Sequence, residues 1–482
     1  MPPVNHPRHV SVVLRNRLRM TSPVRQPFRT VMGIAVGLLL SACATYAPAP
    51  LGGGEGTASV MRLTAPMRAM PELALPSHRF DPADGLDVTE VAMLAAVNSP
   101  ALKLKRDELG IARAQAFAAG LLPDPQLSFG KDYLTHPGPG LSSAYNLGIS
   151  EDVSALLTRS SRRAAARSQA EQVNLDLLWA EWQTVAQARL LFDQVLILRA
   201  QQERLGKEQD AMGALEPSIH AALRAGNLTY DTASAGLNAG ADVRKRLAAT
   251  TVALHQAESD LHVLLGLAPT APLDLVGAPY QTGATPAQVQ QALADLPRRR
   301  PDLLALQAGY QSQEAKLRAA VLAQFPALNI GFNTARDTTD VSTRGFSVGI
   351  TLPLFDRNRG NIAIEQATRQ QLKDDYEARM LETRSDMQRL LTDLATLQQQ
   401  RIALGVHTQQ LNAARRSAEQ AWQHNLLDWP TYVAIRGSAL SADLDLLDLQ
   451  QQQATQVIAL EVLLGNTDLA TAHPATAKAA TP

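Results

Sequence analysis

Two kinds of hydrophobic pattern alternate along the chain. Four short segments alternate strictly between apolar and small or polar residues, a period of two that predicts β-strands: residues 126–133, 144–150, 327–333 and 345–351. Longer segments rich in Ala, Leu, Gln and Glu predict α-helices: residues 86–120, 160–225, 229–266, 286–322, 358–423 and 428–467. Within one of these helices Met380, Met387 and Leu394 recur every seven residues, which predicts a coiled-coil seam.

The same order of elements occurs twice. Residues 100–150 align without a gap with residues 301–351 at an offset of 201 positions, and Gly148 meets Gly349. The second copy lacks four residues at the position equivalent to Val153, so the offset is 197 in the helices that follow. Each copy reads helix, strand, strand, helix, turn, helix, which indicates an internal duplication.

The predicted strands do not form a self-sufficient sheet. Their second face carries Gly, Ser, Asn and Thr rather than charge, which suits the interior of a water-filled barrel. Strands of about 9–11 residues can cross a bilayer when tilted. A sheet of four strands has two open edges, and in hydrocarbon each unpaired backbone group costs several kcal/mol. We therefore predict closure by sister chains, three of which would give a 12-stranded barrel. The alternative is an amphipathic sheet that covers a soluble core.

The helix lengths also indicate a tube. The helix after each strand pair has about 65 residues and a length of about 95 Å. Each copy also has two shorter helices, one that leads into the strands and one that follows the helical turn. Their summed length matches that of the long helix, so we expect them to lie end to end beside the long helix. The predicted fold class is mainly α with transmembrane β: two repeats, each with two strands and long coiled-coil helices that continue the bore of the barrel.

An export signal precedes the first repeat. A basic segment is followed by an apolar core at residues 31–40, which is too short to span a bilayer as a helix, and by the motif LSAC ending at Cys43. The motif resembles a bacterial lipobox, which implies that Cys43 is lipidated and becomes the first mature residue. Ala44, rather than Asp, then favours the outer membrane. The alternative is an ordinary secretory signal with a chance cysteine, and either Met1 or Met20 could be the translation start.

These features divide the chain into six predicted segments. They are a signal peptide (residues 1–42), a lipid-anchored tether (43–85), the first repeat (86–266), a linker (267–285), the second repeat (286–467) and a disordered tail (468–482). The tether and the tail are rich in Pro, Gly, Ala, Ser or Thr, which is typical of flexible segments.

Composition and motifs argue against an enzyme. Basic and acidic residues balance at 45 each, so there is no electrostatic case for nucleic acid, and Cys43 is the single cysteine, so no disulfide is expected. The sequence shows no catalytic constellation and no phosphate-binding loop, and we predict no cofactor. His255, Glu258 and His262 lie on one helical face as a conceivable metal site. The favoured interpretation is a polar stripe on a coiled-coil surface, so no metal ligand is predicted.

Four stretches together resemble a known family. The first is RRRPDLLALQAGYQSQEAKLRAA (residues 298–320) with the following FPALNIGF (residues 325–332), and the second is GITLPLFDRNRGNIA (residues 349–363). The other two are the helical turns RAGNLTYDTASA (residues 224–235) and QHNLLDWPTYVA (residues 423–434). With the duplication, they make residues 86–467 resemble the outer-membrane factor family of bacterial efflux systems, the TolC-like trimeric channel-tunnels.

The resemblance implies partners and cargo. It implies a passive homotrimer in the outer membrane that meets a periplasmic adaptor protein and an inner-membrane pump, here expected to be of the RND type. Residues 349–363 are similar to the outer-membrane components of heavy-metal cation efflux, such as CzcC, so the expected cargo is heavy-metal cations. A drug or solvent channel of the same family remains an alternative. A lipid-anchored periplasmic coiled-coil scaffold without a pore is the alternative from another class.

The two helical turns are the candidate binding sites. Gly226 and the aligned Asn425 suit the left-handed position that ends a helix, and Thr229 and Asp428 are candidate N-caps. The resemblance implies that the turns contact the adaptor through seven residues: Arg224, Gly226, Asn227, Leu228, Asn425, Leu426 and Leu427. The alternative is that these residues merely cap and staple the hairpins.

The resemblance also points to a gate near the turns. Some homologues carry a ring of carboxylates there, whereas the aligned positions here hold Thr232 and Thr431. The nearest acids, Asp231 and Asp428, are the candidate gate carboxylates, and capping is the alternative role for both. Pro217 is expected to kink the first long helix near its end.

Overall fold

The computed structural model describes residues 46–52, 80–136, 138–279 and 286–464. The predicted signal peptide, Cys43 and the predicted tail lie outside the described residues. Residues 46–52 are exposed and have no regular secondary structure. Among the described helices, none combines the length and the apolar character needed to cross a membrane.

Residues 80–464 form eight helices and four strands within the described ranges. The first copy contains α1 (Val88–Asn98), α2 (Pro100–Ala118), β1 (Gln126–Asp132), β2 (Ala144–Asp152), α3 (Ser154–Arg224) and α4 (Tyr230–Leu265). The second contains α5 (Pro286–Arg299), α6 (Pro301–Leu322), β3 (Ala327–Arg336), β4 (Ser342–Thr351), α7 (Arg359–Gln423) and α8 (Trp429–Leu464). All four predicted strands and both predicted long helices are therefore present, and the long helices have 71 and 65 residues.

The helix that leads into each strand pair is broken, contrary to the prediction of one continuous helix. The breaks fall at Ser99–Pro100 and at Arg300–Pro301, which are equivalent positions in the two copies. A proline ring clashes with the preceding residue in the α conformation and removes a backbone donor. Ser99 and Arg300 accordingly have extended ψ angles of 124° and 122°. The apolar periodicity continues across both prolines, which is why it suggested single helices.

The four strands form one antiparallel sheet in the order β1-β2-β3-β4. The central pair, β2 with β3, joins the two copies, and Ile149 lies opposite Phe332. β3 and β4 are joined by a tight turn in which the Asp337 carboxylate accepts hydrogen bonds from the backbone N–H groups of Thr339 and Val341. β1 and β4 are the edge strands, so each leaves one row of backbone groups without a partner strand among the described residues.

The helices nearest the sheet continue its order. α2 packs on α3, α3 on α6 and α6 on α7, so this layer follows the strand order from β1 to β4. Farther from the sheet, α3 packs on α4 and α8, and α7 packs on α8. Phe192 on α3, Leu261 on α4 and Val91 on α1 belong to a buried cluster where the short helices meet. In the α7 seam, Met387 and Leu390 are fully buried, while Met380 and Leu394 are half-buried, which supports the predicted coiled-coil packing.

The break before α6 contains a fully buried arginine. Arg300 pairs with the Asp302 carboxylate, donates to the Thr383 hydroxyl at 3.0 Å and lies 5.0 Å from the Trp179 ring centroid. Burial acts to raise the pKa of Asp302, but hydrogen bonds and charge from Arg300 and Arg379 outweigh burial and hold that pKa below its usual value. The Arg-Pro-Asp motif therefore joins α6 to α3 and α7, because a buried guanidinium needs these partners.

The ends of the hairpins pack around Trp429. This side chain, at the start of α8, lies directly over Gly236 of α4, where an added Cβ would approach its ring to 2.2 Å. Trp429 also contacts Trp422, which stacks on Tyr432 with 5.1 Å between ring centroids. The α4 and α8 helices can therefore approach closely only because residue 236 has no side chain.

We predict that Gly236→Ala destabilises the hairpin ends by about 2 kcal/mol, because overpacking a close contact forces the backbone or the Trp429 ring to shift. The measurement is urea unfolding followed by tryptophan fluorescence. Gly437→Ala is the matched control, since nothing lies within 4 Å of its Cβ position and alanine favours helix. Equal stability of the two variants would contradict the proposed packing.

Candidate functional site

The sheet has one apolar face, and that face is exposed. Directly paired residues of an antiparallel sheet share a face, so the register assembles one continuous apolar surface from all four strands: Leu127, Phe129, Tyr145, Leu147, Ile149, Leu328, Ile330, Phe332, Phe346, Val348 and Ile350. Phe129 and Phe346 are 70% and 68% exposed. An apolar surface of this kind marks contact with a membrane or a partner.

The opposite face of the sheet is small and polar. Each of its glycines pairs with a residue that has a polar side chain, as Gly148 does with Ser128 and Gly331 with Ser347. A Cβ at Gly331 would lie 2.7 Å from Ser347 Oγ, so the hydroxyl occupies the space that the glycine leaves. This face thus offers hydrogen-bonding groups without a fixed charge in its centre, as the sequence predicted.

The helical layer below the sheet also has a groove lined by small and polar residues, which we call the polar groove. It has a volume of about 790 Å³ and is lined by residues from α2, α3, α6 and α7 together with the turn before α7. Its charged lining residues are Arg162, Lys316 and Glu365, and most of the others are alanines, asparagines or glutamines. Six of the lining residues are alanines and none is a large apolar residue, so this surface lacks the bulky side chains of the apolar face of the sheet.

The two helical turns have the predicted geometry. Gly226 and Asn425 are left-handed, with φ values of 70° and 58°. The Thr229 side chain accepts from Thr232 N–H, and the Asp428 carboxylate accepts from Thr431 N–H at 2.8 Å. The hydrogen bonds to Thr431 hold the pKa of Asp428 below its usual range. Helix α3 runs unbroken through Pro217. The kink expected there stays a prediction.

The predicted adaptor-contact residues divide into two groups. Five of them are exposed at the turns: Arg224, Gly226, Asn227, Asn425 and Leu426. Leu426 is 79% exposed, so its side chain is available for contact with another protein. Leu228 and Leu427 are half-buried against the aromatic cluster, where they staple the hairpins. Asp231 is exposed in the first turn of α4, and Asp428 caps α8, so the capping alternative holds for Asp428.

A buried ionic network lies just inside the turns. Arg436 of α8 makes a two-pronged contact with Glu208 of α3, at 2.9 and 2.7 Å, and a 2.9 Å contact with Glu419 of α7. The Tyr432 hydroxyl donates to Glu419 and lies 2.9 Å from Arg436 Nη1. Burial acts to lower the pKa of Arg436, but the hydrogen bonds and charge of Glu208 raise it above its ordinary value. The network ties the inner end of α8 to both long helices.

Burial also acts on Tyr432. Its pKa is raised first by burial and then by the hydrogen bond to Glu419, while the Arg436 charge opposes the rise. The hydroxyl is therefore neutral at physiological pH and remains a donor to Glu419. The raised pKa of Arg436 keeps its guanidinium charged at physiological pH, so the cation at the centre of this network does not titrate there.

Two of the three residues of the conceivable metal site are occupied by other partners. Arg199 donates to Glu258 at 2.8 Å, and His262 is buried with its ring nitrogens against the carbonyls of Glu258 and Ala271. His255 is exposed. Within residues 46–52, 80–136, 138–279 and 286–464, no group of His, Cys, Asp and Glu could hold a metal ion.

The sequence analysis missed Arg436, Glu208, Glu419 and Tyr432. Glu208 and Arg436 are 228 positions apart, so periodicity could not bring them together. The duplication did contain a signal, because the positions of the first copy equivalent to Tyr432 and Arg436 hold Ala233 and Leu237. A break in the repeat that replaces two apolar residues by polar ones marks a specific contact.

Comparison with known proteins agrees with this architecture. Residues 289–466 match the family model described as outer membrane efflux protein. The pyoverdine export outer membrane protein OpmQ of Pseudomonas aeruginosa is 26% identical over 410 residues, which cover 80% of this chain and 85% of the relative.

Two solved channels share the fold. The outer-membrane channel OprN has a TM-score of 0.68 at 14% identity, covering 88% of this chain and 99% of its own. CusC, solved in a study of folding and transmembrane channel formation, has a TM-score of 0.65 at 18% identity, covering 83% and 97%. The predicted TolC-like channel-tunnel fold is thereby confirmed.

We predict that Arg436→Gln lowers the local stability of the hairpin ends by about 3 kcal/mol, because it leaves the buried Glu208 carboxylate without its cation. Hydrogen exchange of the amides around residues 208, 419 and 436 should accelerate by about a hundredfold. Arg416→Gln, an exposed arginine on the neighbouring α7, is the control. The double variant Arg436→Gln/Glu208→Gln should regain part of the protection, and unchanged exchange in Arg436→Gln would contradict the assigned role.

Proposed function

We propose that this chain, whose residues 289–466 match the outer membrane efflux protein family, is the outer-membrane channel of a tripartite efflux pump. In this proposal it acts as a passive homotrimeric duct, and the energy for transport comes from a pump in the inner membrane. The observation that carries the proposal is the four-stranded sheet with one exposed apolar face, one small polar face and two open edges.

The faces define what each side of the sheet contacts. The apolar face would contact the hydrocarbon of the outer membrane, and the polar face would line the water-filled bore, as in outer-membrane barrels. Below the sheet, the polar groove on α2, α3, α6 and α7 would continue the bore through the periplasm. Cargo would therefore meet hydroxyls and amides at the sheet, and small side chains with a few charges in the groove below it.

The edges support trimeric closure. Among the described residues, β1 and β4 are each paired on one side only, and in the helical layer next to the sheet α2 contacts only α3 and α7 contacts only α6. Both edge helices carry large exposed apolar side chains, namely Leu104 and Ile111 on α2 and Leu381 on α7. Pairing β4 with β1 of the next chain would satisfy the backbone, and packing α7 on the next α2 would cover these side chains. Three copies would give twelve strands.

The turns provide the surface for the adaptor. We assign the adaptor contact to Arg224, Asn227, Asn425 and Leu426, which are exposed, and we keep Asp231 as the candidate gate carboxylate. An adaptor and a pump of the RND type would complete the path across the periplasm. For the N-terminus, the LSAC motif supports export by a signal peptide and acylation of Cys43, which would anchor the chain to the outer membrane.

Heavy-metal cations are the first candidate cargo, on the resemblance of residues 349–363. In the structure, this stretch forms the turn before α7, where the Asn358 side chain donates to Ala320 O at 2.7 Å. Asn358 therefore has a structural role there. Organic molecules are the second candidate, because the relative OpmQ is named for pyoverdine export. Complementing a channel-deletion strain and comparing its sensitivity to metal cations and to drugs decides between the two.

The substitutions Val348→Arg and Ser347→Arg test the two faces with adjacent residues. Arginine on a lipid-facing strand costs about 2–4 kcal/mol at the bilayer midplane, whereas arginine in the bore is solvated. Val348→Arg should abolish the heat-sensitive trimer on gels. Ser347→Arg should keep the trimer and shift conductance in planar bilayers toward anion selectivity.

Two results would contradict the proposal. One is tolerance of both arginines without any change in assembly or selectivity. The other is a purified wild-type chain that conducts no ions and stays monomeric, as the rival hypothesis of a lipid-anchored coiled-coil scaffold predicts.

A further inference from the structure

An arginine row lies on α3 just below the sheet. Arg159, Arg163 and Arg167 are four residues apart, so they share one helical face and extend over about 12 Å. With Phe117 and Leu121 they line a groove of about 340 Å³ between α2 and α3. None of the seven residues that line this groove carries a carboxylate.

The row faces away from the polar groove. That groove is lined by other residues of the same two helices, among them Gln115 of α2 and Arg162 of α3. Two packed helices have one groove on each side of their contact, so the arginine row and the polar groove lie on opposite sides of the layer. If the polar groove continues the bore, as the proposed function states, the arginine row is on the outside.

An apolar collar separates the arginine row from the strands. Large apolar side chains are exposed between the strand ends and the long helices: Leu121, Leu122, Leu156, Leu157, Phe325, Leu352, Leu354 and Phe355. The first arginine follows Leu157 by two positions. Exposed apolar residues followed at once by arginines are typical of the boundary between hydrocarbon and headgroups, where long basic side chains reach the phosphates.

The fold of the junction does not require all three arginines. Arg159 donates to the carbonyl of Gly120, at 2.9 and 2.6 Å, and so holds the end of α2. Arg163 and Arg167 are exposed, and no hydrogen bond or ion pair to their side chains occurs among the described residues. In the second copy, the equivalent positions hold Gly360 and Ile364, and the same strand-to-helix junction forms there.

We propose that Arg163 and Arg167, with Phe117 and Leu121, bind the phosphate and the upper acyl chain of an anionic phospholipid in the periplasmic leaflet of the outer membrane. The proposal rests on the proposed function, which places this junction at that leaflet. Arginine forks match phosphate oxygens, and the apolar side chains match the lipid tail. The net positive charge without a lining carboxylate favours phosphatidylglycerol over zwitterionic lipids.

The test is native mass spectrometry of the full chain in a neutral detergent, with phosphatidylglycerol, phosphatidylcholine or inorganic phosphate added. Wild-type protein should retain phosphatidylglycerol, and Arg163→Gln/Arg167→Gln should weaken this binding by about tenfold or more. Lys245→Gln/Arg384→Gln, which removes two exposed basic residues far from the junction, should bind as wild type. Arg163→Lys/Arg167→Lys should retain part of the affinity, because it keeps the charge but not the fork.

Each other outcome overturns the inference. Equal binding of phosphatidylcholine would show that charge is not used, and competition by inorganic phosphate at similar concentrations would assign the site to free phosphate. Equal loss in the control variant would indicate a nonspecific charge effect. The same spectra report the oligomeric mass, so a wild-type monomer contradicts the proposed trimer, whereas a trimer without a lipid adduct contradicts only the lipid site.

Discussion

The backbone N–H and C=O groups along the free edges of β1 and β4 set the condition that the rest of the structure must meet. In water such edges could be solvated, but the apolar face of the same sheet, with Phe129 and Phe346 exposed, is suited to hydrocarbon. There, each unpaired backbone group costs several kcal/mol. The edges and the apolar face are therefore compatible only if another strand covers each edge. Closure by sister chains, which the proposed trimer would provide, follows from this requirement more directly than from any single motif.

The helical part serves the same arrangement. The layer of α2, α3, α6 and α7 follows the strand order. The helices at the two ends of this layer, α2 and α7, therefore lie below the edge strands β1 and β4. Buried ionic contacts then fix the helices relative to one another within the chain. Arg300 ties the break before α6 to α3 and α7, and Arg436 ties α8 to the same two long helices near the turns. Burial makes both arginines depend on their partners, so these contacts specify position as well as stability.

Local pattern predicted those parts of the molecule that depend on local physics. Strand alternation, the long helices and the left-handed Gly226 and Asn425 were visible because each is encoded within a few turns of the chain. The breaks at Pro100 and Pro301 were missed because the apolar period was weighed above proline stereochemistry. Contacts between distant segments, such as Gly236 with Trp429, could not be read from any pattern. The half-burial of Leu228 and Leu427 likewise depends on aromatic residues of the opposite hairpin.

The most direct test of the account is disulfide cross-linking between the two free edges. Apart from Cys43 the chain has no cysteine, so cysteines can be placed singly along β1 at Ser128 or Gly130 and along β4 at Ser347 or Gly349. In antiparallel pairing, at least one combination should bring Cβ atoms within about 5.5 Å. The account predicts covalent species of trimer mass on non-reducing gels. Cross-links confined to the monomer, or none in any combination, would contradict closure by sister chains.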